Sequence, residues 1–154
     1  MPPAMIGDVN HPDVPSVRVI SVSAVVLTRP DGAVATVRKV GTDRFMLPGG
    51  KWEPGESPLH CAVREVGEEL GVTIEAAALT PIGRFETATA NEPGFRLVSE
   101  VFAAEVDEHL EPLAEIAEVR WVSPSELRVV AGLPENECAP WAPLLVRVAR
   151  TGRP

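Results

Sequence analysis

The sequence predicts an α+β domain, a mixed β-sheet with helices packed against it. Three observations point there. Short Val- and Ile-rich runs bounded by Gly and Pro occur both before and after one segment of helical periodicity. That segment, near the middle of the chain, repeats its apolar residues every three to four positions. The chain has 154 residues and no internal repeat, the size of one domain able to bury its own core.

Taken in order, residues 1–15 are rich in proline and polar side chains and lack the basic start and apolar core of a secretory signal. They are expected to form a flexible lead-in to a single domain spanning 16–152. The run SVRVISVSAVVLTR (Ser16 to Arg29) reads as a strand. The turn signal Pro30-Asp31-Gly32 then leads into AVATVRKV, a second strand, which makes a hairpin. Phe45 to Leu47 is a short extended piece. A helix is expected over Pro58–Leu70, with Ser57 as N-cap, Pro58 at the first helical position and Gly71 just past the end. LTPIGRFETATA and FRLVSEVFAAEV read as strands joined through the turn residues NEPG. EVRWV (Glu118 to Val122) is a further strand, and Ser123 before Pro124 starts a helical turn. From Pro140 the spacing of Trp141, Leu144, Leu145 and Val148 predicts a last helix.

Composition removes several function classes. A net charge of −8 argues against a nucleic-acid polymer as partner, because binding a phosphate backbone needs a basic surface. A small polyphosphate stays possible if divalent cations bridge it to the protein. No apolar run approaches the roughly 20 residues that cross a bilayer. Two cysteines, Cys61 and Cys138, make no disulfide framework, so a cytoplasmic protein is the expectation. Lys39 and Lys51 are the only lysines in a chain whose other basic residues are arginine.

The chemistry gathers around the central helix. Leu59, Ala62, Val63, Val66 and Leu70 form one apolar stripe that packs on the sheet. Glu65, Glu68 and Glu69 stand at i, i+3 and i+4, sharing another face. Three adjacent carboxylates repel one another unless a positive charge lies between them. A solvated acidic face is the ordinary meaning of such a pattern. Here it competes with the bare-backbone corner Gly49-Gly50 just upstream, which can bring carbonyl oxygens against a hard ion such as Mg²⁺. The two features together point to a cation site.

The spacing Gly50, five residues, Glu56, seven residues, then REVGEELGV (Arg64 to Val72) resembles the Nudix box at every defined position. The surrounding SAVVLTRPDGAVATVRK, FMLPGGKWEPGES and EVRWVSPSEL are similar to the family's flanking strands, so the resemblance covers nearly all of the chain beyond the lead-in. It implies an α/β/α sandwich with a mixed sheet and two main helices. It further implies Mg²⁺-dependent hydrolysis, with Mn²⁺ as substitute, of a nucleoside diphosphate linked to another group. On this resemblance Glu65, Glu68 and Glu69 bind the metal, helped by backbone at Gly49 and Gly50. Arg64 and Glu56 form a bracing ion pair. Glu115, rather than Glu118, supplies a further ligand or general base from the loop before the RWV strand.

Arg38, Lys39 and Lys51 are the basic residues close to the box and are expected at the phosphates. Alternation along the second strand allows only one of Arg38 and Lys39 to face the site. Phe85, Trp52 and Trp121 are candidates to stack on a base, against the commoner fate of a core aromatic. Asn136, within LPENE, resembles a base-reading Asn of the MutT-like branch, against the alternative of a turn residue. His11, His60 and His109 read as surface residues. The leading substrate is a nucleoside triphosphate, normal or modified. A nucleotide-sugar or dinucleotide pyrophosphatase is the alternative within the class, and a silent binding or regulatory module the alternative outside it. Monomer and homodimer are both left open.

Overall fold

The computed structural model describes residues 18–43, 45–88, 94–123 and 125–126. The lead-in, Asn136, Cys138 and the helix expected from Pro140 all lie outside these. Seven strands form one sheet: β1 (Arg18–Thr28), β2 (Val34–Lys39), β3 (Phe45–Met46), β4 (Gly49–Lys51), β5 (Thr80–Ala88), β6 (Phe95–Glu105) and β7 (Ile116–Val122). The order is β3-β2-β1-β6-β5, with β4 also paired to β1 and β7 to β2. β1 and β6 run parallel in register along all of β1, and every other pair is antiparallel. The sheet is therefore mixed, as the sequence predicts. One α-helix, α1 (Pro58–Leu70), lies among the described residues, and the second expected helix falls outside them.

The hairpin between β1 and β2 is confined to its mouth. Its turn closes through Gly32 N–H to the Arg29 carbonyl and Arg29 N–H to the Ala33 carbonyl, but only Thr28 and Val34 are in register. Beyond that pair the strands take other partners: β2 runs along β7, while the middle of β1, Val22 to Ala24, accepts β4. Strand alternation cannot disclose this, because it reports faces and not neighbours.

β4 is the second departure. Gly49-Gly50, expected as a corner, is extended chain pairing Gly49 with Ala24 and Gly50 with Ser23. Both glycines are there for close approach. A Cβ on Gly49 (φ 154°) would strike the Ser23 carbonyl, and one on Gly50 would strike the Glu65 carboxylate.

α1 follows its sequence signals. The Ser57 hydroxyl accepts from His60 N–H at 3.1 Å, and Gly71 closes the helix in the left-handed region at φ 70°. Its apolar side buries Ala62, Val66 and Leu70 against Val25, Leu27, Ala35, Val37 and Phe102 of the sheet, with Leu59 and Val63 half-buried at the margin. The opposite sheet face carries a smaller cluster, Val26, Val34, Val101 and Val122. No helix among the described residues is long and apolar enough to cross a membrane.

Two glycines separate close approach from mere helix propensity. Gly49→Ala should lose about 1–3 kcal/mol by overpacking β4 against β1. Gly67→Ala, whose added Cβ meets only the Val72 carbonyl at 3.8 Å, should gain about 0.5–1 kcal/mol by helix propensity. Urea unfolding of the two variants checks this. Equal effects, or a stabilised Gly49→Ala, would contradict the close packing of β4.

Candidate functional site

Arg64, in the middle of α1, gathers the carboxylates. Its Nε and Nη2 donate to the two oxygens of Glu56 at 2.7 and 3.0 Å, a two-point grip. Nη1 reaches Glu65 at 3.0 Å and Glu68, one turn on, at 3.2 Å. Nη2 also donates to the Lys51 carbonyl at 3.1 Å, tying α1 to β4. The guanidinium holds the Glu56 carboxyl down at about 2, helped by the Glu53 N–H. The Glu56 contact in return makes the Arg64 guanidinium hold its proton still more firmly.

The loop between β4 and α1 has a second fastening that sequence reasoning missed. Trp52 Nε1 donates to Ser23 Oγ at 3.0 Å, and Ser23 Oγ donates to the Pro58 carbonyl at 2.7 Å. The available signal was a serine, Ser23, in line with the apolar Val25 and Leu27 of β1. The bond occupies the Trp52 indole N–H in fold-holding. Cys61 is a packing residue: it is buried, with its sulfur 3.4 and 3.7 Å from the Gly50 and Lys51 carbonyls.

The three glutamates of α1 do not share one exposure. Glu68 is open to solvent, Glu65 is nearly covered, and Glu69 is buried at 1% exposure. Glu69 stands three residues after Val66 and beside Leu70, so helical geometry turns it inward. Val25 N–H to the Pro48 carbonyl and Trp52 N–H to the Ser21 carbonyl fix the ladder so that Gly49 occupies a non-hydrogen-bonded position. Its N–H turns from β1 and donates to Glu69 Oε1 at 3.3 Å. Glu69 Oε2 is buried with no hydrogen-bond partner. Burial pushes the carboxyl up to about 8, and the adjacent Glu65 carboxylate adds to the rise.

A buried, unpartnered carboxylate oxygen is costly unless something positive meets it. The oxygen donors here, Glu65, Glu68, Glu69 and the peptide groups of β4, are those a hard divalent ion takes. Among the described residues, no three acidic, His or Cys side chains sit at metal-holding spacing, because Glu65 and Glu68 turn to Arg64. By its chemistry the donor set fits a divalent cation, and Glu69 Oε2 is its unpartnered buried oxygen.

Across from α1, strand β2 sends its two basic residues to opposite faces. Lys39 lies on the same face as Val37, which packs in the α1 core, and its charge reaches Glu69. Arg38 lies on the other face. Each has a glutamate from the β7 side: Lys39 Nζ is 3.2 Å from Glu115, and Arg38 Nε is 3.2 Å from Glu118. Arg120 and Arg38 together keep the Glu118 carboxyl below its ordinary value. Lys51 is exposed beside Gly50. Phe85 is half-buried against the smaller cluster, and Trp121 against the α1 core with Arg29 stacked 4.6 Å from its ring. Both are thus largely core aromatics. His60 and His109 are exposed.

A family model, the NUDIX domain, matches residues 17–142. Among curated relatives, a MutT-like protein from Streptomyces ambofaciens is 32% identical over 114 residues, 73% of this chain and 69% of that one. An isopentenyl-diphosphate Delta-isomerase from Nocardia farcinica is 33% identical over 101 residues, 62% of this chain and 55% of that one. Among solved structures, a MutT protein from Methanosarcina mazei Go1 superposes with a TM-score of 0.67 at 23% identity, over 89% of this chain and 97% of that chain.

The two perturbed carboxylates predict opposite pH effects. Glu56, depressed from 4.5 to about 2, contributes stability that is present above pH 4.5 and lost as pH falls towards 2. Glu69, raised from 4.5 to about 8, favours the folded state most below pH 4.5, and that contribution is lost as pH rises through 8. Glu56→Gln should therefore melt below wild type at neutral pH, with the gap narrowing in acid. Glu69→Gln, with EDTA present, should melt above wild type on the alkaline side, with that gap closing in acid. Thermal melts across the pH range check both, and pH-independent gaps would contradict the assignments.

Proposed function

The chain belongs to the Nudix family of hydrolases, which act on the pyrophosphate bonds of nucleoside diphosphate derivatives, and from that premise we infer that it is a Mg²⁺-dependent nucleotide pyrophosphohydrolase. Its leading substrate is a nucleoside triphosphate, normal or modified, cut by water to the nucleoside monophosphate and pyrophosphate. The observation that carries this reading is Glu69 Oε2, buried without a partner between the Gly49 peptide and the Glu65 carboxylate.

Glu65, Glu68 and Glu69, with the backbone of Gly49 and Gly50 and with Glu115 at the mouth, are the groups that hold Mg²⁺, or Mn²⁺ in its place. Such an ion, when bound, neutralises phosphate charge and stabilises the leaving oxygen. Of the two peptide carbonyls, that of Gly49 is the better donor. It turns away from β1 with its N–H, whereas the Gly50 carbonyl already meets Cys61. Arg64 and Glu56 keep α1 and β4 in a fixed relation, so the carboxylates are aimed before substrate arrives. Glu115 accepts the proton of the attacking water. Lys51, exposed beside Gly50, offers charge to the polyphosphate, and Asn136, outside the described residues, is the base-side candidate.

The name of the Nocardia relative supplies a second reading, isomerisation of a small organic diphosphate. That chemistry also needs a cation-held diphosphate but leaves the anhydride intact. A panel of GTP, dGTP, 8-oxo-dGTP, ATP, a nucleotide sugar, a dinucleoside polyphosphate and isopentenyl diphosphate, each with Mg²⁺, separates the readings. Glu68→Gln and Glu69→Gln should each lower kcat on the best nucleotide by at least about a hundredfold while remaining folded. A folded variant with undiminished kcat, or turnover of isopentenyl diphosphate alone, would overturn this function.

A further inference from the structure

The loop that leads into β7 is built to one end. Leu113 N–H donates to the Glu69 carbonyl at 2.9 Å and Glu111 N–H to the Leu70 carbonyl at 3.2 Å, so the loop hangs from the last turn of α1. Ala114 follows with φ 52°, a left-handed backbone that alanine adopts at a cost, where local structure compels it. Glu115 comes next, and its carbonyl accepts from Val40 N–H at 2.8 Å.

The register of β7 on β2 then slips. Arg38 pairs with Glu118, but Lys39 pairs with Ile116, leaving Ala117 as an extra residue. In an unbroken ladder Lys39 would stand opposite Ala117 and Glu115 would lie opposite Gly41, two residues further along β2. With the bulge Glu115 falls beside Val40, next to Lys39, and its carboxylate lies 3.2 Å from Lys39 Nζ. Three irregularities of the chain, the suspended loop, the left-handed alanine and the bulge, thus converge on one ion pair. It lies on the α1 face of the sheet, where the Lys39 charge also reaches Glu69.

We propose that Lys39 is a positioning residue, whose ammonium holds the Glu115 carboxylate at the Glu69 end of the site instead of serving as a phosphate ligand. Arg38, on the opposite face with Glu118, has no such role. The proposal rests on the reading of Glu115 as the proton acceptor of the hydrolase and deepens it. A flexible exposed glutamate samples many rotamers, and a partner fixed on a strand restricts it to the one that faces the cation carboxylates.

The test is a double-mutant cycle of Lys39→Met and Glu115→Gln in the full chain, with Lys39→Arg as the conservative variant. With dGTP and Mg²⁺, Lys39→Met and Glu115→Gln should each lower kcat at least about tenfold, with KM within about threefold of wild type. Lys39→Arg should restore most of the loss, and the double variant should be no slower than Glu115→Gln alone by more than about twofold. A KM raised about tenfold with kcat held, unaltered kcat in Glu115→Gln, or losses that multiply in the double variant would overturn the proposal. Melting of the same four proteins in EDTA reads the pair without turnover. Non-additive shifts in Tm support it, and additive shifts overturn it. If wild type hydrolyses nothing on the panel, the hydrolase reading fails by itself, and the melting cycle still decides whether Lys39 holds Glu115.

Discussion

The Arg64 guanidinium is the interaction on which the rest of the site depends. One cation is shared by Glu56, Glu65 and Glu68 and by the peptide of Lys51, so it joins a loop, a helix and a strand at one point. Without it, Glu56, Glu65 and Glu68, packed around Arg64, would repel one another and push α1 from β4. The two-point contact with Glu56 is nearly covered from solvent and well formed, which separates it from ordinary surface pairs of small effect, such as Arg29 with Asp31. Arg64 therefore does electrostatic and architectural work together.

What Arg64 leaves unsatisfied matters as much. Its donors end at Glu68, and Glu69 lies beyond them on the buried side of the helix. There, among the described residues, Gly49 N–H donates to Oε1 and Oε2 is left without a partner. Two bare glycines allow this approach, one against the backbone of β1 and the other against the Glu65 carboxylate. A side chain at Gly49 would force β4 from β1, and one at Gly50 would force β4 from α1. The glycines, the arginine and the buried glutamate are one device, with the unpartnered Glu69 carboxyl at its centre.

Much of this was legible in the sequence, and the reasons can be separated. Helical spacing placed Glu65, Glu68 and Glu69 on neighbouring turns, and the cap residues Ser57, Pro58 and Gly71 bounded α1 correctly. The mixed sheet followed from strands on both sides of that helix. Periodicity did not say which glutamate is buried, although Glu69 lies three residues from Val66 and next to Leu70. The glycine pair suggested a corner, because glycine marks turns more often than close packing. Its place as a strand depends on β1, a long-range partner that local pattern does not reveal. Alternation allowed only one of Arg38 and Lys39 to face the α1 side, but choosing Lys39 needed the sheet. The pairing of Lys39 with Glu115 needed the bulge at Ala117, which leaves no mark in the residue types around it. Asn136 and the expected last helix lie outside the described residues.

The central claim is that Glu69 is the inner ligand of a divalent-cation site, and direct ion binding tests it without any assumption about substrate. Mn²⁺ titrated into the protein and followed by the loss of its free-ion electron paramagnetic resonance signal measures occupancy. Wild type should bind saturably, and Glu69→Gln, folded by circular dichroism, should bind at least about tenfold more weakly, since it loses a carboxylate charge from the site. Equal affinity in the two proteins would show that the ion, if bound at all, lies elsewhere, and would contradict the account.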